Sequence, residues 1–216
     1  MKALNTSPTA KHTSWAYAEH HRGEDPVLLA ARERAFDLGV TPVSEGTAAT
    51  LTVLAAAVRA RTLVEVGTGA GVSGISLLRG ASEGATLTSI DVDPEHLHAA
   101  RAAFGQERLP SGRTRLITGR AQEVLPRLST GSYDLVLLDA GPEHLPSYAA
   151  EGMRMLAPGG LLVINDALDH DQVPRPAVRE ESTQIRRETE RALKEDDRLR
   201  TTLLGTGTGL LVAVRR

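Results

Sequence analysis

Short apolar runs alternate with stretches of helical spacing from residue 62 onward. Five runs of mostly aliphatic residues predict parallel strands, at Thr62–Val66, Thr86–Asp91, Thr114–Thr118, Tyr133–Asp139 and Gly160–Asn165. Between them, apolar residues recur every three to four positions and predict helices, one opening at Val72 and others at Pro94–Phe104, 121–128 and 145–156. This alternation is typical of a doubly wound α/β fold, in which helices cover both faces of a parallel sheet.

The pattern changes near the C-terminus, after a predicted helix over residues 178–195. Arg198–Leu204 and Leu210–Val214 both have the composition of strands, and the glycine-rich residues 205–209 join them. Two strands joined by so short a loop must run antiparallel. We therefore expect a seven-stranded, mostly parallel sheet that ends in an antiparallel hairpin.

The N-terminal residues lack this regular alternation. Residues 1 to about 12 are polar and contain a proline, which predicts disorder, and Trp15 and Tyr17 follow them. We interpret residues 1–25 as a partly disordered extension, which either docks on its own domain or covers a site or a partner subunit. Residues 26–216 are then the folded domain, which opens with helices over 26–38 and 47–60.

Composition narrows the function further. The 216 residues, 41% of them hydrophobic, suit one α/β domain. The 27 acidic and 25 basic residues are interleaved and leave a net charge of −2, so no basic face indicates binding to nucleic acid or an anionic membrane. The chain has no cysteine, and no segment has the apolar length of a signal peptide or membrane span. We expect a cytoplasmic protein that acts on a small molecule.

A glycine-rich turn follows the first predicted strand, in the segment VEVGTGAGVSG at residues 64–74. Its second half matches the G-x-G-x-x-G pattern of dinucleotide-binding folds, and Asp91 ends the second strand, where an acidic residue binds ribose hydroxyls. Glu65 discriminates between cofactors, because a carboxylate there would repel a pyrophosphate and attract the cationic end of S-adenosylmethionine (SAM). The turn favours SAM, and an NAD(P)-dependent oxidoreductase is the alternative.

Five sequence blocks resemble the small cation-dependent O-methyltransferase family, which includes the catechol and caffeoyl-CoA types. In order, the blocks are VEVGTGAGVSG, LTSIDVDPEH, GRAQEVLPRL, YDLVLLDA and LAPGGLLVINDAL, and the similarity covers roughly residues 26–216. The resemblance implies a SAM-dependent O-methyltransferase with a Rossmann-like sheet. It also implies a small hydroxylated acceptor, phenolic or catechol-like, and a homodimer.

The resemblance also implies which residues bind SAM. Those at or beside its methionine part would be Glu65, Gly67, Thr68, Gly69 and Ser73. Those at its ribose, its adenine and its far side would be Asp91, Val92, Ala121, Gln122 and Val43. Asp139 would lie closest to the acceptor.

A divalent, Mg²⁺-like cation is the family's means of stabilising the ionised acceptor hydroxyl. The resemblance implies Asp139, Asn165 and Asp166 as its ligands, although the family's Asp-Asn pair is inverted here. The family's general-base lysine corresponds to Pro142, which can do no acid–base chemistry.

Two replacements for that base lie on the same loop. His144 or Glu143 could serve, and we select His144, with Asp139, as the candidate catalytic residues. The alternative is that both loop residues are solvated positions at a helix start. A further alternative for the whole chain is a non-catalytic relative that binds SAM.

Overall fold

A seven-stranded mixed sheet forms the centre of the computed structural model, which describes residues 8–216 and side chains from residue 11 onward. Its strand order is β3-β2-β1-β4-β5-β7-β6. The strands are β1 (Thr62–Val66), β2 (Thr86–Asp91), β3 (Thr114–Thr118), β4 (Tyr133–Leu138), β5 (Leu156–Ile164), β6 (Leu199–Leu204) and β7 (Leu210–Arg215). Strands β1 to β5 pair in parallel, and β7 runs antiparallel to β5 and β6. The predicted sheet with its C-terminal hairpin is confirmed.

Eight helices accompany the sheet in the described residues: α1 (Pro8–Glu19), α2 (Pro26–Asp37), α3 (Glu45–Ala57), α4 (Val72–Gly80), α5 (Pro94–Gln106), α6 (Ala121–Val124), α7 (Leu145–Met155) and α8 (Glu181–Glu195). Capping explains several starts. The Asp25 side chain accepts hydrogen bonds from the backbone N–H groups of Val27 and Leu28, and that of Asp93 accepts one from Glu95, each just before a proline.

The two faces of the sheet bury different helices, because side chains alternate along each strand. Leu63, Leu135 and Leu137 face a core built with α2 to α5. Val64, Val136 and Leu138 face a second core built with α6, α7 and α8. The domain therefore has three layers, and its loops at the carboxyl ends of the parallel strands are left free to form a site.

Helix α1 docks on the domain's own hairpin loop. Trp15 Nε1 donates to the carbonyl oxygen of Gly205 at 2.8 Å, and Glu19 Oε1 accepts from Thr206 Oγ1 at 2.7 Å and from Gly207 N at 2.8 Å. Residues 8–12 are helical, which corrects the expectation of disorder there, since tertiary contacts stabilise a helix that composition alone does not favour. The same expectation for residues 1–7 lies outside the described residues, and the division at residue 25 stays a prediction.

The described helices do not include a candidate membrane span. Among residues 8–216, no helix combines the length and the apolar character that a bilayer requires.

Candidate functional site

The carboxyl ends of β1, β4 and β5 converge beside the point where the strand order changes direction. Asp139 N donates to the carbonyl oxygen of Val66 at 2.8 Å, and Asn165 N donates to that of Leu138 at 3.0 Å. These bonds hold the segment leaving β4 against β1, and the segment leaving β5 against β4. In open α/β sheets, ligands bind at this kind of crevice.

Two adjoining clefts open there. The first, which we call the turn cleft, has a volume of about 250 Å³ and lies over Gly67–Gly69 and Asp91. The second, which we call the acidic cleft, has a volume of about 350 Å³ and contains Asn165, Asp166 and Arg186. The residues that line both clefts are Thr41, Pro42, Val43, Asp139, Ala140 and Gly141. Asp139 therefore stands at the junction.

Backbone geometry shapes the turn cleft. Gly67 has a φ of 93°, and a Cβ there would lie 1.9 Å from the carbonyl oxygen of Asp139, so only glycine fits. Asp91 Oδ2 accepts hydrogen bonds from Thr68 N at 2.9 Å and from Gly69 N at 3.0 Å. The glycines thus allow the close approach, and Asp91 holds the turn in position.

His96 is a member of the turn cleft that the sequence did not reveal. Asp91 Oδ1 accepts from Asp93 N at 3.0 Å and lies 3.1 Å from His96 Nδ1. With the turn bonded to Oδ2, four groups surround a carboxylate that has about four lone-pair positions. A ribose hydroxyl at Asp91 must therefore displace one partner, and the His96 side chain is more readily displaced than backbone. The sequence signal that could have identified His96 was its position in the first turn of α5, shortly after Asp91.

Glu65 lies under the turn and does not line the turn cleft. It is 0% exposed, accepts a hydrogen bond from Ser73 Oγ, and accepts one from Ser89 Oγ at 2.6 Å. Burial raises the pKa of Glu65 to about 8, against the hydrogen bonds from Ser73 and Ser89, and the charges of Asp139 and Asp91 add to the rise. This corrects the electrostatic argument made from sequence, because Glu65 does not face the turn cleft and its raised pKa disfavours the negative charge that the argument requires.

The acidic cleft brings together charged side chains from three segments. Asn165 Nδ2 donates to Asp139 Oδ1 at 2.8 Å. Arg186, 9% exposed on α8, donates from Nη2 to Asp166 Oδ2 and from Nε to the Asp166 carbonyl oxygen at 2.7 Å, and its Nη1 lies 3.2 Å from Asp169 Oδ1. Sequence reasoning missed Arg186, because a buried arginine in a polar helix resembles a solvated one.

Ionisation differs between Asp139, which lines the acidic cleft, and Asp169, which lies beside it. Burial, partly offset by the hydrogen bond from Asn165, raises the pKa of Asp139 to about 6, and the charge of Asp166 contributes. Burial also disfavours ionisation of Asp169, yet hydrogen bonds from Thr183 and Ser182 and the charge of Arg186 hold its pKa below the usual range. Asp139 is thus the group suited to exchanging a proton near neutral pH.

The turn cleft brings together most of the residues that the sequence predicts to bind SAM, but not all of them. The members that line the turn cleft are Val43, Gly67, Thr68, Gly69, Ser73, Asp91, Val92 and Asp139. Ala121 is buried at the start of α6, and Gln122 accepts a hydrogen bond from Tyr148 Oη at 2.9 Å. Neither residue lines the turn cleft. His144 ends the short turn over residues 142–144, is exposed, and lines neither cleft.

The three side chains implied as cation ligands do not fit that role. Asn165 directs its N–H, and not its oxygen, at Asp139, while Asp166 is already paired with Arg186. Mg²⁺-like ions require oxygen ligands. Within the part of the chain that the structure describes, no group of three or more His, Cys, Asp or Glu side chains has the arrangement of a metal site.

A larger cavity, of about 680 Å³, lies between α7 and α8, away from the sheet's carboxyl edge. Two of its lining arginines are engaged by carboxylates, Arg154 by Glu151 at 2.7 Å and Arg198 by Asp196 at 2.6 Å. It contains no predicted site residue. The adjoining pair of clefts is therefore the better candidate for chemistry, despite its smaller volume.

Comparison of the sequence identifies one family. A model of the O-methyltransferase family matches residues 24–216. A protein of Mycolicibacterium vanbaalenii, named a candidate O-methyltransferase, is 48% identical over 199 residues, which cover 92% of this chain and 88% of that protein. A Mycobacterium tuberculosis protein with a similar name is 45% identical over 209 residues, covering 97% and 93% of the two chains.

Solved structures share the fold. A Corynebacterium glutamicum protein superposes with a TM-score of 0.88 at 28% identity, covering 95% of this chain and 97% of that one. An O-methyltransferase of Bacillus cereus in complex with SAH, the demethylated form of SAM, superposes with a TM-score of 0.84 at 21% identity, covering 94% and 99%. Streptomyces achromogenes TomG, an O-methyltransferase of tomaymycin synthesis in complex with SAM, has a TM-score of 0.84 at 23% identity, covering 94% and 96%.

Proposed function

The chain belongs to the O-methyltransferase family, and we propose that it transfers the methyl group of SAM to a hydroxyl of a small phenolic acceptor. One observation carries the proposal: Asp139 stands in the wall shared by the turn cleft and the acidic cleft. A methyl donor in one cleft and a hydroxyl in the other would meet at this side chain. The oxidoreductase alternative is overturned by the family match.

SAM would bind in the turn cleft. The glycine turn leaves room that a Cβ would fill, and it brings backbone close to the ligand. Asp91 would bind the ribose hydroxyls, and Val92, 66% exposed at the rim, offers an apolar surface to the adenine. Glu65 would act indirectly, by fixing Ser73 in the cleft wall. The SAH and SAM found with the B. cereus and TomG proteins support the assignment.

Asp139 would be the general base. A phenol with a pKa near 10 is only about one part in a thousand ionised at pH 7, which costs roughly 4 kcal/mol. An Asp139 with a pKa of about 6 is mostly ionised at that pH, so its carboxylate accepts the hydroxyl proton as the oxygen attacks. When bound, SAM supplies the methyl group, which passes from the sulfonium sulfur to that oxygen and leaves SAH.

The divalent cation of the resemblance is not part of the proposed reaction. The Asn165 amide already occupies one oxygen of Asp139, and Arg186 already occupies one oxygen of Asp166. An ion would have to compete with a fixed guanidinium for Asp166. His144 is also left out, because it lines neither cleft.

Calorimetric titration is the first test. We expect SAM and SAH to bind the purified protein and NAD to produce no heat. Methyl transfer from radiolabelled SAM to a panel of phenols and catechols then tests catalysis. Binding of SAH without transfer to any phenol would favour the non-catalytic alternative, and binding of NAD alone would refute the proposal.

Assembly and location remain predictions from the sequence. We propose a cytoplasmic homodimer, and the exposed apolar side chains Leu29, Phe36 and Val53 on α2 and α3 support a contact there. Light scattering after size exclusion tests it, and a monomeric mass at micromolar concentration would contradict it.

A further inference from the structure

We propose that the guanidinium of Arg186 takes the place of a divalent cation in the acidic cleft, so that methyl transfer needs no bound metal. The inference rests on the proposed function, because it concerns the same site. Arg186 is a positioning residue in this account, since it acts through Asp166.

Arg186 brings a positive charge to the carboxylates of Asp166 and Asp169. Its guanidinium is bonded to the Asp166 carboxylate and lies 3.2 Å from Asp169 Oδ1. Arginine stays protonated at all physiological pH values, so this positive charge is permanent. This one positive charge lies within reach of both carboxylates and offsets one of their two negative charges without any ion.

The guanidinium of Arg186 is held firmly in place by burial and by hydrogen bonds. Arg186 is 9% exposed, and it also donates from Nε to the Asp166 carbonyl oxygen at 2.7 Å. The planar group thus binds both the side chain and the backbone of one residue, at a position where Asp166 has a left-handed φ of 54°. A divalent ion at Asp166 would meet this fixed cation at close range and be repelled.

Few carboxylate oxygens of Asp166 and Asp139 remain for an ion to bind. Asp166 Oδ1 is buried and has no hydrogen-bond partner among the described residues, with His170 Nε2 at 3.9 Å. Asp139 Oδ1 already accepts the Asn165 N–H. The free atom at Asp166 is a single oxygen beside an arginine, so an ion there would take most of its ligands from water.

The arrangement has a consequence for the acceptor class. A chelated cation selects acceptors with two adjacent oxygens, because both bind the ion. Without it, Asp139 needs only one hydroxyl within reach, so a phenol with a single hydroxyl is a competent acceptor. We expect matched phenols and catechols to be methylated at rates within about tenfold of each other.

Binding of Mn²⁺ tests the proposal without reference to turnover. The protein is treated with a chelator, supplied with saturating SAH and titrated with MnCl₂, and free Mn²⁺ is followed by electron paramagnetic resonance. We expect no site tighter than about millimolar in the unmodified protein. In Arg186→Gln, loss of the positive charge frees Asp166, and we expect at least a tenfold gain in Mn²⁺ affinity.

Arg187→Gln is the matched control. Arg187 donates to the carbonyl oxygens of Val173 at 3.0 Å and Val178 at 2.8 Å, and it does not line the acidic cleft. This variant should leave Mn²⁺ affinity unchanged. Thermal unfolding establishes that both variants fold.

Each outcome is decisive. Micromolar Mn²⁺ binding by the unmodified protein overturns the proposal, and it does so even if Arg186→Gln fails to fold. A folded Arg186→Gln protein with no gain in Mn²⁺ affinity removes Arg186 from this role. Absence of SAH binding in the calorimetric titration would instead reject the proposed function, so the two failures are distinguishable.

Discussion

The turn cleft and the acidic cleft adjoin, yet they are built from different parts of the chain. Backbone N–H groups and glycine Cα atoms shape the turn cleft, with Asp91 as the brace between them. Side chains of Asn165, Asp166 and Arg186 shape the acidic cleft. A backbone-built cleft allows few substitutions, whereas a side-chain-built one can change its chemistry by exchanging a residue.

Substitution of Gly67 should have the largest effect, because this glycine lines the turn cleft and packs directly against the backbone of Asp139. Its φ of 93° and the approach to the Asp139 carbonyl oxygen leave no room for a methyl group. We expect Gly67→Ala to lose more than about 3 kcal/mol of unfolding free energy and all measurable SAH binding. Chemical denaturation and calorimetry measure both.

Gly84→Ala is the control for backbone strain alone. Gly84 has a φ of 74°, and nothing lies within 4 Å of the point that a Cβ would occupy, so we expect a loss of about 1 kcal/mol and unchanged SAH affinity. Equal losses in the two variants would show that the contact with Asp139 is unimportant.

Asp139→Asn should break the acidic cleft and spare the turn cleft. Loss of the general base should lower kcat by about 100- to 10,000-fold while SAH affinity changes by less than about tenfold. Asp134→Asn, at the opposite end of β4, is the control, because Asp134 accepts hydrogen bonds from Arg61 N and Thr62 N far from both clefts. It should lower stability and leave kcat unchanged. Full activity of Asp139→Asn would refute the role of Asp139.

Stability should fall with rising pH because of Glu65. Its pKa is raised from the ordinary glutamate value of 4.5 to about 8, so the folded state holds a proton that the unfolded state releases. The unfolding free energy should therefore decline between pH 4.5 and 8, by on the order of a few kcal/mol.

Glu65→Gln should remove most of that decline, since the amide resembles the protonated acid, and the part left below about pH 6 comes from the raised pKa of Asp139. Urea unfolding at about pH 5.5 and about pH 8.5, on either side of most of the expected change, compares the two proteins. The same pH slope in both would mean that Glu65 is ionised in the folded state.

His96→Ala should have the smallest effect. Removing the imidazole frees one position on Asp91 Oδ1 for a ribose hydroxyl, and we expect the Kd for SAH to fall by up to about fivefold. His98→Ala is the control, because His98 is exposed on the same helix and does not line the cleft. Weaker SAH binding in His96→Ala would indicate that the imidazole contacts the ligand itself.

The accuracy of sequence-based prediction follows the same division between the clefts. The ranges predicted for β1, β2 and β3 agree with the structure, because aliphatic runs and glycine turns report burial and backbone geometry directly. The start of β5 was predicted at Gly160 and lies at Leu156, since α7 passes straight into the strand. The predicted helices from α2 onward were placed to within a few residues.

Charge could not be predicted as well as shape. Glu65 was identified as important, but its protonation follows from complete burial beside Ser73 and Ser89. Arg186 carried no sequence signal, because its guanidinium becomes part of a site only when α8 packs against the segment that follows β5.

Hydrophobic periodicity and backbone requirements are written locally along the chain, so the residues alone were enough to predict the sheet, the glycine turn and the family. Packing was needed to establish which carboxylate keeps its proton, which histidine meets Asp91, and which cation balances Asp166. Those properties depend on burial and on distances between remote segments, and electrostatic energies change steeply with both.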